Sequence, residues 1–203
     1  MRASTRRELI AGPAGKIECV VDEPESGSSR GVALVAHPHP LFGGTLDNKV
    51  AQTLARTFVE LGYAAWRPNF RGVGASEGTH DEGRGEVEDL LAILEFSKSE
   101  KPVLAGFSFG AAVQTKLAQR LVKEGNAPSR MALVGLAVKH LDAMPVPADT
   151  IVIHGEEDGT VLLSDVLAWA RPQDLPVVVV PGADHFFHRR LHILRSIIQG
   201  SWK

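Results

Sequence analysis

The sequence has little of several features that mark specialised classes of protein. Its single cysteine, Cys19, cannot form an internal disulfide, which favours a reducing compartment. No apolar run is long enough to span a bilayer, and the basic start Met1–Arg7 is followed by too few apolar residues for a signal peptide. We therefore expect a soluble, cytoplasmic protein without a membrane partner.

The chain also lacks an excess of either charge sign. Lys and Arg together number 22 against 24 for Asp and Glu, a formal net charge of -2. This balance indicates no surface for nucleic acid or an anionic membrane, and the basic cluster of Arg2, Arg6 and Arg7 is expected to be solvated. With 203 residues, 44% of them hydrophobic, the chain is expected to form one globular domain over residues 1–203.

What the sequence does contain is an alternation of short β-branched runs with longer amphipathic stretches. This alternation predicts an α/β fold, a mostly parallel sheet flanked by helices on both faces. The predicted strands are Lys16–Val21, Val32–Ala36, Tyr63–Trp66, Pro102–Ala105, Met131–Val138, Thr150–His154 and Val177–Val180. The predicted helices are Asn48–Leu61, Glu86–Phe96, Ala111–Lys123, Leu163–Ala170 and Leu191–Ile198.

A Gly-x-Ser-x-Gly motif, Gly106–Gly110, lies between one of these strands and the following helix. A serine on such a tight turn presents its hydroxyl above the sheet, and the flanking glycines remove side chains that would crowd it. The turn also aims the amide of Phe109, near the helix N-terminus, at an oxyanion forming on a substrate. We therefore predict that Ser108 is a nucleophile.

A serine nucleophile needs a base, and the base needs an orienting acid. One later strand ends in the acidic loop Glu156, Glu157 and Asp158, and the next ends in Asp184 and His185. Loops at the carboxyl ends of parallel strands converge on one crevice, so a carboxylate and His185 can meet Ser108 there.

Several motifs together resemble the α/β-hydrolases over essentially the whole chain, in particular the small, lidless bacterial esterases near the dienelactone-hydrolase-like proteins. The residues that carry the resemblance are His154–Asp158, Gly182–Phe186 and the glycine-rich Phe70–Gly78. The resemblance implies that Asp158 is the acid and His185 the base, with Glu157 as the runner-up for the acid. Dienelactone hydrolases use cysteine where this chain has Ser108, so their substrate is not expected here.

The second oxyanion donor is expected in the loop after Val32–Ala36. Pro38 and Pro40 carry no amide hydrogen, which leaves His39, Leu41 and later residues as donors. The resemblance favours the backbone of His39, and Leu41 stays open as an alternative. Phe42 and Phe186, with Phe109, are candidates to line an acyl pocket.

The predicted function is hydrolysis of small carboxylic esters through an acyl-enzyme intermediate, without a cofactor. His37 and His39 lie near prolines in a loop that serves a hydrolase without metal, so no metal site is expected. The same three catalytic residues would also suit a thioesterase or a small peptidase, and a non-catalytic ligand-binding relative is a third alternative.

Overall fold

The computed structural model describes residues 4–25, 27–139 and 141–202. Within these ranges eight strands form one sheet, and five α-helices pack against it. The strands are β1 (Thr5–Gly12), β2 (Gly15–Asp22), β3 (Val32–Ala36), β4 (Ala64–Pro68), β5 (Val103–Phe107), β6 (Arg130–Val134), β7 (Ile151–Gly155) and β8 (Val177–Val180). The helices are α1 (Lys49–Glu60), α2 (Arg84–Ser97), α3 (Phe109–Lys123), α4 (Leu163–Ala170) and α5 (Leu191–Ser201).

The order of the strands brings the ends that carry polar residues to one edge of the sheet. The order is β1-β2-β4-β3-β5-β6-β7-β8; β3 to β8 run parallel to one another, and β2 pairs antiparallel with both of its neighbours, β1 and β4. The loops that follow β3, β5, β7 and β8 therefore emerge on the same side.

Each central strand is buried on both faces because successive side chains point to opposite sides of the sheet. In β3, Ala33 and Val35 join a core with residues of α1 and α5, whereas Leu34 joins a second core with residues of α2, α3 and α4. This confirms the predicted fold class, a mostly parallel sheet with helices on both faces.

Two strands differ most from the sequence prediction, whereas β4 and β5 only end two residues later than predicted. β1 was not predicted, because most of its residues are exposed and its pairing depends on the Gly12–Gly15 hairpin with β2. Its Arg6 and Arg7 form ion pairs with Glu23 and Glu18, while Arg2 lies outside the described residues. The strand predicted over Met131–Val138 ends at Val134, because Gly135 adopts a left-handed conformation with φ of 53° and turns the chain.

The segment between β6 and β7 is too short to hold a lid. Its described residues, 135–139 and 141–150, contain no helix, and Leu136 to Val138 are buried beneath the carboxyl edge of the sheet. Among the described residues, no helix combines the length and the apolar character that a bilayer span requires.

Candidate active site

Ser108 occupies a sharp turn between β5 and α3. Its backbone has φ of 55° and ψ of -118°, a conformation that costs a non-glycine residue energy and that surrounding contacts must hold. A Cβ atom at Gly110 would lie 2.4 Å from the carbonyl oxygen of His37, and one at Gly106 would lie 2.7 Å from the amide nitrogen of Ala111. Glycine is therefore required on both sides of Ser108, because α3 packs directly against the neighbouring backbone.

The structure brings Ser108, His185 and Asp158 into one hydrogen-bonded chain. His185 Nε2 lies 3.0 Å from Ser108 Oγ, and His185 Nδ1 lies 2.6 Å from Asp158 Oδ2. All three residues are largely buried, with 8% of Ser108 exposed. The carboxylate fixes the proton of the imidazole on Nδ1, which leaves Nε2 free to accept the proton of the serine hydroxyl.

The other acidic side chains near His185 point elsewhere. Glu156 accepts a hydrogen bond from the amide of Gly182, and Asp184 accepts one from the amide of His188. Glu157 is exposed. Of the carboxylates considered from the sequence, Asp158 is the one whose oxygen contacts the imidazole of His185.

Asp158 is held in its charged form by several donors. Burial alone would raise its pKa, but the bonds from His185 and from the amides of Val161 and Thr160 outweigh this effect and lower the pKa below its usual value. The two amides bind Oδ1, so Oδ2 is directed at His185. The carboxylate of Asp158 therefore stays negatively charged beside His185, where it can stabilise a protonated imidazole.

His154 is a second buried histidine beside Asp158. Its Nε2 donates to the carbonyl of Val161 at 2.9 Å and lies 3.5 Å from Asp158 Oδ2. Burial lowers the pKa of His154, although the Val161 carbonyl and the Asp158 carboxylate act in the opposite direction. A neutral His154 thus packs against the acid, and its Nε2 is engaged with a backbone carbonyl and not with Ser108.

The contacts of His37 fix the orientation of one candidate oxyanion amide in the loop after β3. His37 donates from Nδ1 to the carbonyl of Pro38 at 2.6 Å and accepts at Nε2 from the amide of Phe70 at 2.9 Å. Because the C=O and N–H of a trans peptide point in opposite directions, the bond to Pro38 also sets the direction of the His39 amide. The amide of Leu41 instead donates to His39 Nδ1 at 3.2 Å, which disfavours Leu41 as the donor.

Two features of the site were missed by sequence reasoning. Gly135 lies against the catalytic candidate His185: a Cβ atom there would lie 3.2 Å from His185 Cε1. On the other side, His80 Nδ1 lies 2.9 Å from an oxygen of the fully buried Glu86. The sequence held one signal for each feature. Gly135 is a single glycine within an apolar run, and Glu86 is an acidic residue three positions after Gly83, where a helix can begin.

The ring of His80 supports the residues that carry the two candidate oxyanion amides. It lies 4.9 Å from the ring of His39 and 5.3 Å from the ring of Phe109, measured between centroids.

Phe109 begins α3, and the first amides of a helix have no acceptor within that helix. The Phe109 amide can therefore point at a substrate while its side chain lies in the core, so the ring is not available as a pocket wall.

The two other aromatic candidates lie at the rim of the crevice. Phe42 is 86% exposed and contacts the ring of His39 at 4.7 Å. Phe186 is 46% exposed and lies 5.2 Å from the ring of His185. Because both rings are so exposed, neither forms the wall of an enclosed pocket.

Comparison with known proteins shows relatives along nearly the full chain, although no family model matches it. The chain is 33% identical over 190 residues to an uncharacterized protein of Rickettsia prowazekii, covering 87% of this chain and 79% of the relative. It is 33% identical to a lidless α/β serine hydrolase of Xanthomonas campestris, with a TM-score of 0.88 over 99% of this chain and 94% of the other. A homologue of the same hydrolases from Coxiella burnetii is 37% identical, with a TM-score of 0.85 over 98% of this chain and 97% of the other. Since this identity extends over almost the whole length of both hydrolase structures, the protein belongs to the α/β-hydrolase superfamily, among its lidless serine hydrolases.

Proposed function

We propose that the protein hydrolyses small carboxylic esters, with Ser108 as nucleophile, His185 as general base and Asp158 as the acid that orients the base. The observation that carries this proposal is the continuous hydrogen-bonded chain from Ser108 Oγ through both nitrogens of His185 to Asp158. Its distances lie within the range required for proton transfer between a nucleophile and its base.

The reaction begins when His185 Nε2 takes the proton of Ser108 as Oγ attacks the ester carbonyl. The imidazolium then donates that proton to the departing alcohol, which leaves an acyl-serine ester. A water molecule, deprotonated by the same Nε2, attacks this ester. The Ser108 oxygen then leaves, takes that proton from Nε2, and the carboxylic acid is released. Throughout, Asp158 keeps the imidazole in the required tautomer and stabilises its cation.

Both tetrahedral intermediates carry a negative oxygen, and we assign its stabilisation to the amides of Phe109 and His39. Each donor of this kind contributes about 2.7–4 kcal/mol to the transition state. His37 acts as a positioning residue for the His39 amide, because its bond to the Pro38 carbonyl fixes the peptide plane that contains that amide.

We expect a small substrate, because residues 135–139 and 141–150, the described part of the segment between β6 and β7, contain no helix that could cover the crevice. Phe42, beside His39, and Phe186, beside His185, offer apolar surface, yet both remain substantially exposed. An acyl chain that extends beyond them stays in water and gains little from burial.

A fluorophosphonate probe tests the nucleophile directly. The wild-type protein should be labelled at Ser108, and Ser108→Ala should lose both labelling and hydrolysis of p-nitrophenyl acetate. His185→Ala should be as damaging as Ser108→Ala, because the two residues act as a unit. Ser164→Ala, which alters an exposed serine of α4, is the matched control and should retain full activity.

Retention of near wild-type turnover by Ser108→Ala would remove this residue from the mechanism. If the wild-type protein took up no probe and cleaved no ester or thioester, the chain would instead be a ligand-binding relative that has lost turnover.

A further inference from the structure

A groove runs beside the candidate active site, between the loop that follows His185 and the start of α1. Its volume is about 260 Å³. The residues that line it are Asn48, Lys49, Val50, Phe186, His188, Arg189 and Leu191.

Phe186 connects this groove to the reacting atoms. The ring of Phe186 is part of the groove wall, and it also lies 5.2 Å from the ring of His185. The alcohol that departs as the acyl-enzyme forms must receive its proton from His185. A leaving group that extends past His185 and across Phe186 therefore reaches the groove.

Two cationic side chains without a carboxylate partner line the groove. Within residues 4–25, 27–139 and 141–202, neither Lys49 nor Arg189 forms an ion pair with a carboxylate. The acidic residues nearby contact other side chains: Asp184 contacts His188, while Asp47 accepts a bond from Gln52 and lies 3.8 Å from Arg67.

The backbone places one of these cations in an unusual conformation. Arg189 has φ of 60° and Phe187 has φ of 53°, both in the left-handed region that non-glycine residues seldom adopt. The fully buried ring of Phe187 anchors the loop in the core, so the strain is maintained by packing. Such outliers concentrate where a binding loop must present a side chain in one direction.

The backbone amides at the N-terminus of α1 are not the source of attraction for an anion. Asn48 Oδ1 already accepts from the amides of Val50 and Ala51, which caps the first turn of α1. The positive character of the groove thus comes from the Lys49 and Arg189 side chains.

We propose that this groove binds an anionic group, a carboxylate or a phosphate, at the far end of the leaving alcohol. The inference rests on the proposed ester hydrolysis and adds the chemical class of the leaving group. The scissile ester lies at Ser108, the linking atoms cross Phe186, and the anion lies between Lys49 and Arg189.

Three acetate esters test the proposal, with leaving alcohols that carry the same six-carbon chain. One chain ends in a carboxylate, one in a phosphate and one in a neutral carboxamide, so the charge is remote from the ester and does not change its intrinsic reactivity. The quantity to compare is kcat/KM for each anionic ester divided by kcat/KM for the neutral ester.

Wild-type protein should prefer one or both anionic esters. Lys49→Gln and Arg189→Gln should each lower this ratio by about threefold, and the double variant by about tenfold, as expected for single exposed charge pairs. A larger loss with the phosphate ester than with the carboxylate ester identifies phosphate as the natural group, and the reverse ranking identifies carboxylate. The effect should shrink at high ionic strength, because salt screens exposed charges.

Lys123→Gln is the matched control. This exposed lysine ends α3, about 20 Å along the helix from Ser108 at 1.5 Å per residue, which is well beyond the screening length. Its ratio should equal that of the wild-type protein.

The neutral ester separates failure of this inference from failure of the proposed function. If all variants cleave the neutral ester equally but the double variant keeps the wild-type ratio, the groove does not bind the anion and the inference is wrong. If the wild-type protein cleaves none of the esters, the proposed ester hydrolysis itself is wrong.

Discussion

Lowering the pH from about 7.5 to about 5 should destabilise the folded protein by about 2 kcal/mol through His37 alone. His37 is fully buried, and burial lowers its pKa to about 4, against the opposing effect of its bond to Pro38. In the unfolded chain an exposed histidine titrates near about 6.5. Between these values the unfolded state holds more protons than the folded state, so stability falls as the pH falls.

The contacts of His37 explain why its protonated form is not tolerated. Nδ1 already donates to the Pro38 carbonyl, and Nε2 accepts from the amide of Phe70. A proton on Nε2 would face that amide hydrogen, donor against donor, in a site without water access. The contribution is fully present above about pH 7, declines through the window between about 6.5 and about 4, and reaches a loss of about 3 kcal/mol below it.

Urea unfolding of wild-type protein and His37→Gln at several pH values measures this contribution. The substitution changes the stability at every pH, so the informative quantity is the difference between the free energies of unfolding at about pH 7.5 and about pH 5. That difference should be smaller in His37→Gln than in wild type by about 2 kcal/mol. His192→Gln, which removes an exposed imidazole of α5, should leave the pH profile parallel to that of wild type. If the profile of His37→Gln were also parallel to that of wild type, His37 would not be the buried neutral group that its contacts indicate.

Three further outcomes follow from the site. Asp158→Asn should lower kcat for p-nitrophenyl acetate by about 10⁴-fold, because it removes the proposed orienting acid. Glu157→Gln should change kcat little. The reverse ranking would place the acid at Glu157. Gly135→Ala should lower kcat while the protein still binds the substrate. The new methyl group would lie 3.2 Å from His185 Cε1, and residue 135 would keep a φ of 53°, which is unfavourable for alanine. An unchanged kcat would show that the imidazole has room to move. For p-nitrophenyl esters, kcat/KM should peak between acetyl and butyryl. Methylenes that extend beyond Phe42 and Phe186 stay hydrated and gain little of the roughly 0.8 kcal/mol that burial of each provides. A steady rise to dodecanoyl would mean that another surface completes the pocket.

The parts of the fold that sequence patterns predicted are those with a local cause. β3, β7 and β8 are apolar or β-branched runs, and the sequence located each of them within one residue. Ser108 and His185 were predicted because each follows such a strand, and the ends of parallel strands meet at one edge. Local patterns at two strand ends thus predicted that Ser108 and His185 meet, although 77 residues separate them in the sequence.

The parts that were not predicted depend on contacts between distant segments. β1 has few buried residues of its own, and its position follows from the hairpin with β2. The end of β6 at Gly135 is hidden in an apolar run, because the side chains that crowd this position, Phe107 and His185, come from distant parts of the chain.

The three buried histidines of the site show why residue type alone does not identify a catalytic base. His37 contacts a carbonyl and an amide of the backbone, so both its nitrogens are committed and the ring stays neutral. His154 donates to a carbonyl, and its Nε2 is 3.5 Å from Asp158 Oδ2, too far for a strong bond. His185 alone among them has a carboxylate on Nδ1 and a hydroxyl on Nε2. A carboxylate on one nitrogen stabilises the cation that proton transfer creates on the ring, whereas a backbone carbonyl stabilises it far less. The partner on Nδ1 therefore distinguishes His185 as the proposed base, and that partner is set by the loops after β7 and β8.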